Sequence, residues 1–163
     1  MAAWHETAVK VASLTPHQPI TITVPDGNNR NKARHVMVVL LPSNPGDPLP
    51  IVRALDAICY HSGGPLAQGD IEDIDGFGTC IRCPWHRYLI KLETGEGVYQ
   101  GLDTKYKSKG RRQRTHTTMI SADGIVHVQL NSVDIDDESV LDDRLPSDTY
   151  CFGQHHQHHH AKD

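Results

Sequence analysis

Apolar and polar residues alternate over short stretches in the first quarter of the chain, which is the pattern of half-buried β-strands. Ile20–Val24 alternates cleanly, and Arg34–Leu41 is a longer apolar run rich in β-branched residues. Residues 25–29 between them have the sequence Pro-Asp-Gly-Asn-Asn, so these two strands are predicted to form a hairpin. No convincing helical period extends beyond a turn or two. The pattern therefore predicts an all-β fold.

Further strands are predicted from the same alternation and from the turn residues that bound each run. They are Thr7–Val11, Ile51–Asp56, Leu89–Leu92, and a final hairpin of Gln113–Ser121 with Ile125–Leu130 joined by Ala-Asp-Gly. Gly69–Asp75 alternates acids with isoleucine and is predicted to be an exposed edge strand. Residues 42–50 are rich in proline and predict a loop. Lys105–Arg114 carries six basic residues, which predicts a solvated loop.

Length and charge narrow the class of protein. The 163 residues fit one domain with tails, and the formal net charge of −4 favours neither a nucleic-acid binder nor a membrane-surface protein. No apolar stretch is long enough to span a bilayer, and the first residues lack a hydrophobic signal core. We therefore expect a soluble, cytoplasmic protein, without a membrane or nucleic-acid partner, that is a monomer.

The character of the chain changes after Asn131. Six acidic residues lie between 134 and 143, and five of the six residues 155–160 are histidine. We therefore predict a β domain over residues 1–133 and an acidic, His-rich C-terminal tail over residues 134–163. The acidic part either covers one side of the sheet or remains disordered. The His cluster is either a natural metal-chelating stretch or an incidental one.

Two Cys/His pairs form the candidate metal centre. Cys59 and His61 lie at one end of a glycine-rich segment, and Cys83 and His86 lie at the other. Thiolates suit iron bridged by sulfide, and imidazoles leave their iron less electron-rich, so that such a cluster is reduced more easily. A structural zinc site is the alternative, since Cys80 and Cys83 also form a Cys-x-x-Cys motif. Cys80 is expected to be a buried thiol on a strand rather than a further ligand.

The motifs around these pairs resemble the Rieske family. Ser-Gly-Gly-Pro-Leu follows the first pair, Pro-Trp separates the second, and Thr-Gly-Glu-Gly begins at residue 94. Over about Trp4–Leu130 the chain looks closest to soluble Rieske-type [2Fe-2S] ferredoxins, similar to vertebrate Rieske-domain-containing proteins. The resemblance implies an antiparallel β sandwich or barrel with two cluster-binding loops at one end. It also implies one [2Fe-2S] cluster per chain, with two thiolate and two imidazole ligands, namely Cys59 and Cys83, and His61 and His86.

The resemblance implies a soluble one-electron carrier that takes electrons from a reductase and passes them to an acceptor such as an oxygenase. No catalytic residue is predicted, because an oxygenase would need a second, mononuclear iron in a large additional domain. An iron-sulfur redox sensor, or a module that binds a partner without turnover, is the alternative.

A low reduction potential is also expected from the resemblance. Members with high potentials carry an inter-loop disulfide, whose matching positions here are Gly64 and Trp85. They also carry two hydroxyl groups that hydrogen-bond to the cluster, at positions that are Tyr88 and Ile90 in this chain. Arg87 replaces a glycine found in many members and is expected to point to solvent.

Overall fold

The computed structural model describes residues 3–43, 46 and 50–153 of the chain. This part of the chain forms eleven strands and short 3₁₀ helices. The strands are β1 Trp4–Lys10, β2 Ile20–Asp26, β3 Lys32–Leu41, β4 Ile51–Asp56, β5 Asp70–Ile74, β6 Gly78–Arg82, β7 Leu89–Lys91, β8 Glu96–Gln100, β9 Tyr106–Arg111, β10 Thr115–Ile120 and β11 Ile125–Gln129. The 3₁₀ helices are Val11–Ser13, Gly27–Asn29, Leu66–Gln68, Glu138–Asp143 and Pro146–Thr149.

The strands form two sheets. A six-stranded sheet has the order β1-β11-β10-β4-β3-β2, and a five-stranded sheet has the order β5-β6-β7-β8-β9. All neighbouring strands are antiparallel. Together the sheets form the all-β, near-closed barrel that the sequence predicted. Within the described residues, no helix is long and apolar enough to cross a membrane.

The long apolar run of β3 is buried on both faces of its sheet. Val36 and Val38 belong to one apolar cluster, whereas Met37 and Val39 belong to a second cluster. The second cluster also contains Ile81 and other residues of the five-stranded sheet, so it joins the two sheets. A strand that is covered on both faces has a continuous apolar sequence rather than an alternating one. This arrangement explains why β3 contains an uninterrupted apolar run from Val36 to Leu41.

Most of the predicted strands are confirmed. β2 and β3 pair as a hairpin through the 3₁₀ helix Gly27–Asn29, and β10 and β11 pair as the final hairpin. β4 has the predicted bounds, and β5 is the edge strand of the five-stranded sheet. Part of the predicted loop 42–50 lies outside the described residues.

The expectation of a solvated loop over Lys105–Arg114 is wrong. Residues 106–111 form β9, which pairs with β8, and Gln113 and Arg114 are buried. The prediction failed because a strand at a sheet edge can keep charged side chains in water and so lacks an apolar alternation. The burial of Arg114 depends on a partner that lies far along the chain.

That partner is Asp148, which lies in the predicted tail after its acidic run. Ser147, Asp148 and Cys151 are buried, so residues 147–151 pack against one side of the barrel, whereas most of the acidic run 134–143 is exposed. The division into a domain 1–133 and a tail 134–163 stays a prediction, and it includes the last ten residues of the chain. Those residues, including the His cluster, lie outside the described part of the chain.

Candidate metal centre

The two Cys/His pairs lie on two loops that meet at one end of the barrel. Cys59 and His61 follow β4, in the loop that leads to β5, and Cys83 and His86 lie in the loop between β6 and β7. The two thiols lie in the same buried apolar cluster and are close enough to shift each other's pKa. The imidazole rings have centroids 5.0 Å apart and are nearly perpendicular. The structure therefore brings the four predicted ligand residues together as a thiol pair and an imidazole pair.

The first loop closes on itself through its glycines. The Gly63 N–H donates to the Cys59 carbonyl, and the Cys59 N–H donates to the Gly64 carbonyl, both at 2.9 Å. Gly63 has φ 81°, in the left-handed region that favours glycine. A Cβ on Gly64 would lie 2.8 Å from Cys83 Sγ and 3.0 Å from Trp85 Cγ. Glycine at residue 64 is therefore what allows the two loops to touch.

The second loop contains two consecutive residues with left-handed backbone. His86 has φ 62° and Arg87 has φ 60°, whereas non-glycine residues rarely adopt such angles. The Cys83 N–H closes the loop by donating to the Tyr88 carbonyl at 2.8 Å. The Arg87 side chain is exposed, as expected from the sequence. The backbone at residue 87 explains why a glycine is common there among the relatives that the chain resembles.

Burial divides the four side chains into two kinds. Cys59 and Cys83 are each 1% exposed and belong to the apolar cluster that joins the sheets. His61 and His86 are exposed. The hydrogen bond from Cys59 lowers the pKa of Cys83 to about 7, and the same bond raises the pKa of Cys59. A shared proton thus favours a thiolate at Cys83, which is the form that binds a metal.

The two imidazoles turn the same nitrogen toward one point. Nδ1 of His61 and Nδ1 of His86 each lie 3.1 Å from Oγ of Ser62. Partial burial, followed by the positive charges of His86 and Lys109, lowers the pKa of His61. A neutral imidazole is the form that binds a metal. Ser62 directly follows a predicted ligand, but no motif in the sequence predicts this contact with both imidazoles.

Aromatic and basic side chains surround the imidazole of His61. The Tyr88 ring stacks on it with centroids 3.8 Å apart, and Lys109 Nζ lies 4.2 Å from the Tyr88 centroid. Burial lowers the pKa of Lys109, and the nearby charge of Arg112 adds to that effect. Tyr60 contacts Tyr88 edge-to-face, and burial raises the pKa of its hydroxyl. The strand β9, predicted as a solvated loop, thus supplies a cation to the site.

Gln113 holds the backbone on both sides of Cys59. Its amide nitrogen donates to the carbonyls of Asp56 and Ile58, each at 2.8 Å, and its amide oxygen accepts the Tyr60 N–H at 2.9 Å. The side chain is fully buried. One glutamine therefore bonds three backbone groups next to a predicted ligand. No local pattern in the sequence predicts this role, because the bonded residues lie more than fifty positions away.

A buried ionic network lies below the first loop. Arg34 pairs with Asp56 at 2.7 Å, with Asp148 at 2.6 Å and with Asp26 at 3.1 Å. The same Asp56 accepts a hydrogen bond from His116 Nε2 at 2.9 Å. His116 Nδ1 accepts the backbone N–H of residue 131, so Nε2 carries the proton of the neutral ring. The network fixes the end of β4, from which the first loop begins.

Cys80 lies apart from the thiol pair. It is on β6, is fully buried, and packs in a separate apolar cluster with Ile74, Leu89 and Val98. Burial raises the pKa of its thiol to about 11. This location agrees with the expectation of a buried thiol on the strand that enters the second loop.

The sequence profile of the soluble Rieske-type ferredoxins matches residues 50–133, which include both loops. The chain belongs to this family. A Rieske domain-containing protein of Homo sapiens is 50% identical over 87 residues, which are 49% of this chain and 54% of the human protein. This Rieske-type ferredoxin therefore spans about half the length of the curated relative that it matches.

Solved structures share the fold of this Rieske-type ferredoxin. The small subunit assigned to an NADH-dependent nitrite reductase of Mycobacterium tuberculosis has a TM-score of 0.60 at 16% identity, covering 82% of this chain and 99% of that subunit. The ferredoxin of carbazole 1,9a-dioxygenase from Nocardioides aromaticivorans has a TM-score of 0.52 at 21% identity, covering 80% of this chain and all of that ferredoxin. At such low sequence identities, these comparisons show that the fold is shared and no more.

Proposed function

We propose that this Rieske-type ferredoxin holds one [2Fe-2S] cluster, with Cys59 and Cys83 on one iron and His61 and His86 on the other. The cluster would supply one-electron redox chemistry when bound. The observation that carries the proposal is the division of the donors, because the thiols are buried and the imidazoles of the same site are exposed. An electron could then leave through the imidazole side.

The donors fit two irons better than one zinc ion. They form a thiol pair and an imidazole pair, which suits a centre in which two irons have different ligands. A tetrahedral zinc site gathers four such ligands around one centre. Family membership supports the same cofactor, since Rieske-type ferredoxins normally bind a [2Fe-2S] cluster.

The protein would act as an electron carrier rather than as an enzyme. It would accept one electron from a reductase and deliver it to an acceptor protein such as an oxygenase, working as a monomer in the cytoplasm without a membrane or nucleic-acid partner. The names of two neighbours of similar fold, a dioxygenase ferredoxin and a nitrite reductase small subunit, support this class of partner.

A groove beside His86 would contribute to docking. The groove has a volume of about 310 Å³, and its lining includes Arg82, His86, Arg87, Tyr99 and Lys109. The charge of Arg82 is compensated, because its Nε lies 2.6 Å from Glu72. Arg87 and Lys109 have no ion-pair partner within the described ranges, and they leave this side of an acidic protein positively charged. An acidic partner surface suits such a groove.

The cluster would have a low potential for a Rieske centre. Gly64 and Trp85 occupy the positions that an inter-loop disulfide would bridge, and they contact each other without one. The two hydroxyl positions are Tyr88 and Ile90, and Ile90 has no hydroxyl to donate. Fewer hydrogen bonds to the cluster favour the oxidised state, so we expect a midpoint near the lower end of the roughly −150 to +300 mV Rieske range.

Reconstituted electron transfer tests the function. The purified protein is mixed with an NAD(P)H-dependent ferredoxin reductase and a terminal oxygenase, and cluster reduction and reoxidation are followed optically at several salt concentrations. We expect turnover that slows with salt, and a larger loss in Arg87→Glu than in the control Lys10→Glu on edge strand β1. A holoprotein that binds a partner stably yet is never reoxidised by any acceptor would instead indicate a sensor.

A further inference from the structure

We propose that residues 145–153 form a strap that positions the first cluster loop, with Tyr150 as the contacting residue. The strap comprises the 3₁₀ helix Pro146–Thr149 and the residues on either side. The proposal rests on the ligand assignment above for its link to the cluster, but the contact itself is independent of any cofactor.

The Tyr150 ring lies directly against the backbone of the first loop. A Cβ added to Gly63 would lie 3.2 Å from Cδ1 and 3.3 Å from Cε1 of this ring. Gly63 is the residue whose N–H donates to the Cys59 carbonyl and closes the loop. The ring therefore covers the point at which the loop turns back toward its first ligand, and it limits outward movement of that turn.

The strap is anchored on the side that precedes Tyr150. Asp148 accepts two hydrogen bonds from Arg114, at 2.9 and 2.8 Å, and a third from Arg34 at 2.6 Å. Ser147 donates to Asp56 at 2.6 Å. Asp56 ends β4 three residues before Cys59, so the strap and the ligand loop share an anchor. These side chains are buried, where charge-assisted bonds are strong.

The strap is also anchored on the side that follows Tyr150. The Cys151 carbonyl accepts the backbone N–H of His35 from strand β3 at 2.9 Å, and the Cys151 side chain is fully buried. The Phe152 ring lies 5.8 Å from the Arg34 guanidinium carbon. Because both flanks are fixed, Tyr150 cannot move away from Gly63 without breaking buried contacts.

The strap would stabilise the first loop, as an inter-loop disulfide stabilises the loops of other Rieske proteins. Gly64 and Trp85 cannot form such a bridge here, so the first loop depends on non-covalent support. The Tyr150 ring supplies that support from outside the loop, and Gln113 supplies it from inside through the Ile58 carbonyl and the Tyr60 N–H.

The test compares Tyr150→Ala, Tyr150→Phe and the control Leu141→Ala in the holoprotein. Leu141 lies in the same C-terminal segment and is exposed. We expect Tyr150→Ala to release iron to a chelator about tenfold faster than the wild type, and to broaden the EPR signal of the reduced cluster. Tyr150→Phe keeps the ring that contacts Gly63 and is expected to release iron more slowly than Tyr150→Ala, and Leu141→Ala is expected to change neither reading.

Hydrogen exchange separates this proposal from the ligand assignment. The Gly63 amide should exchange faster in Tyr150→Ala than in the wild type, while the amides of β3 keep their protection. A wild-type protein without a cluster would overturn the proposed function, and the Gly63 amide would still report on the strap. Unchanged iron release with an unchanged Gly63 amide would overturn the strap, as would faster release that merely tracks a lowered unfolding temperature.

Discussion

The ring of Tyr88 lies flat on the ring of His61, with centroids 3.8 Å and planes 13° apart. Tyr88 occupies a position at which high-potential Rieske proteins carry a hydroxyl donor. In the structure its ring stacks on a proposed ligand. Such a contact fixes the plane of an exposed imidazole, because rotation of the ring would lose the aromatic contact.

Removal of the Tyr88 ring is therefore expected to loosen His61. Stacking of this kind stabilises by about 1 kcal/mol, so Tyr88→Ala should lose iron to a chelator roughly fivefold faster. Tyr88→Phe keeps the ring and should behave like the wild type. Chelator kinetics and the EPR line width of the reduced cluster provide the measurement. If Tyr88→Phe were as labile as Tyr88→Ala, the phenol oxygen rather than the ring would hold the site.

Replacement of Gln113 is expected to lower the free energy of unfolding more than replacement of an exposed glutamine. Gln113→Ala removes three hydrogen bonds and leaves two buried carbonyls, those of Asp56 and Ile58, without this donor. The free energy of unfolding should fall by about 2–3 kcal/mol, and iron content should fall with it. Urea titration measures the first quantity and iron analysis the second.

The control for that experiment is Gln100→Ala. Gln100 is exposed and donates one hydrogen bond to the Thr104 carbonyl at 2.7 Å. Its replacement should change the free energy of unfolding by less than about 0.5 kcal/mol. Equal effects of the two alanine variants would contradict the structural role assigned to Gln113.

The sequence predicted the features that local pattern controls. The alternation of Ile20–Val24 and the turn after it identified the first hairpin, and the two Cys/His pairs identified loops that do meet in the structure. These signals are local. A half-buried strand shows alternating side chains within a few residues, and a ligand on a loop is flanked by turn residues.

The features that could not be predicted from the sequence depend on contacts between residues far apart along the chain. Arg114 resembles its exposed basic neighbours, and it becomes a buried ion through contacts with Asp148, 34 positions later, and with the carbonyls of Asn131 and Asp143. The contact with Asp148 also holds residues 147–151 against the barrel. Tyr150 likewise lies 87 positions from Gly63, and no spacing rule relates the two residues.

Arg87 is expected to strain the second loop. Its φ of 60° costs a non-glycine residue about 1–2 kcal/mol, part of which is offset by the greater freedom of glycine in the unfolded chain. Arg87→Gly should therefore raise the free energy of unfolding by about 0.5–1 kcal/mol. Urea titration of Arg87→Gly and of Arg87→Ala separates backbone strain from charge. Equal stabilisation by alanine would contradict the strain argument.

Acid is expected to unfold the protein through the buried ionic network. Burial alone would raise the pKa values of Asp56 and Asp148, but the charge of Arg34 and the hydrogen bond from Arg114 lower them overall. A carboxylate with a lowered folded-state pKa stabilises the fold fully above its unfolded value of about 3.9, and less as the pH falls through the folded value. Stability should therefore be flat from about pH 7 to 5 and fall below about pH 4.

Urea titration at a series of pH values measures this dependence, and Asp148→Asn is the matched variant. The variant should be less stable at pH 7 by about 3 kcal/mol, because a buried guanidinium loses its partner, and its stability should fall less steeply in acid. A wild-type stability that rose on acidification, or a variant with the same acid profile, would contradict the network's role.

The composition of the freshly purified protein tests the central claim most directly. We expect two iron atoms and two acid-labile sulfides per chain, and a reduced form with the low average g-value of a mixed Cys/His [2Fe-2S] centre. Cys80→Ser should keep this content, whereas Cys59→Ala and Cys83→Ala should lose it. Stoichiometric zinc without labile sulfide would contradict the account, as would loss of the cluster in Cys80→Ser with retention in His61→Ala.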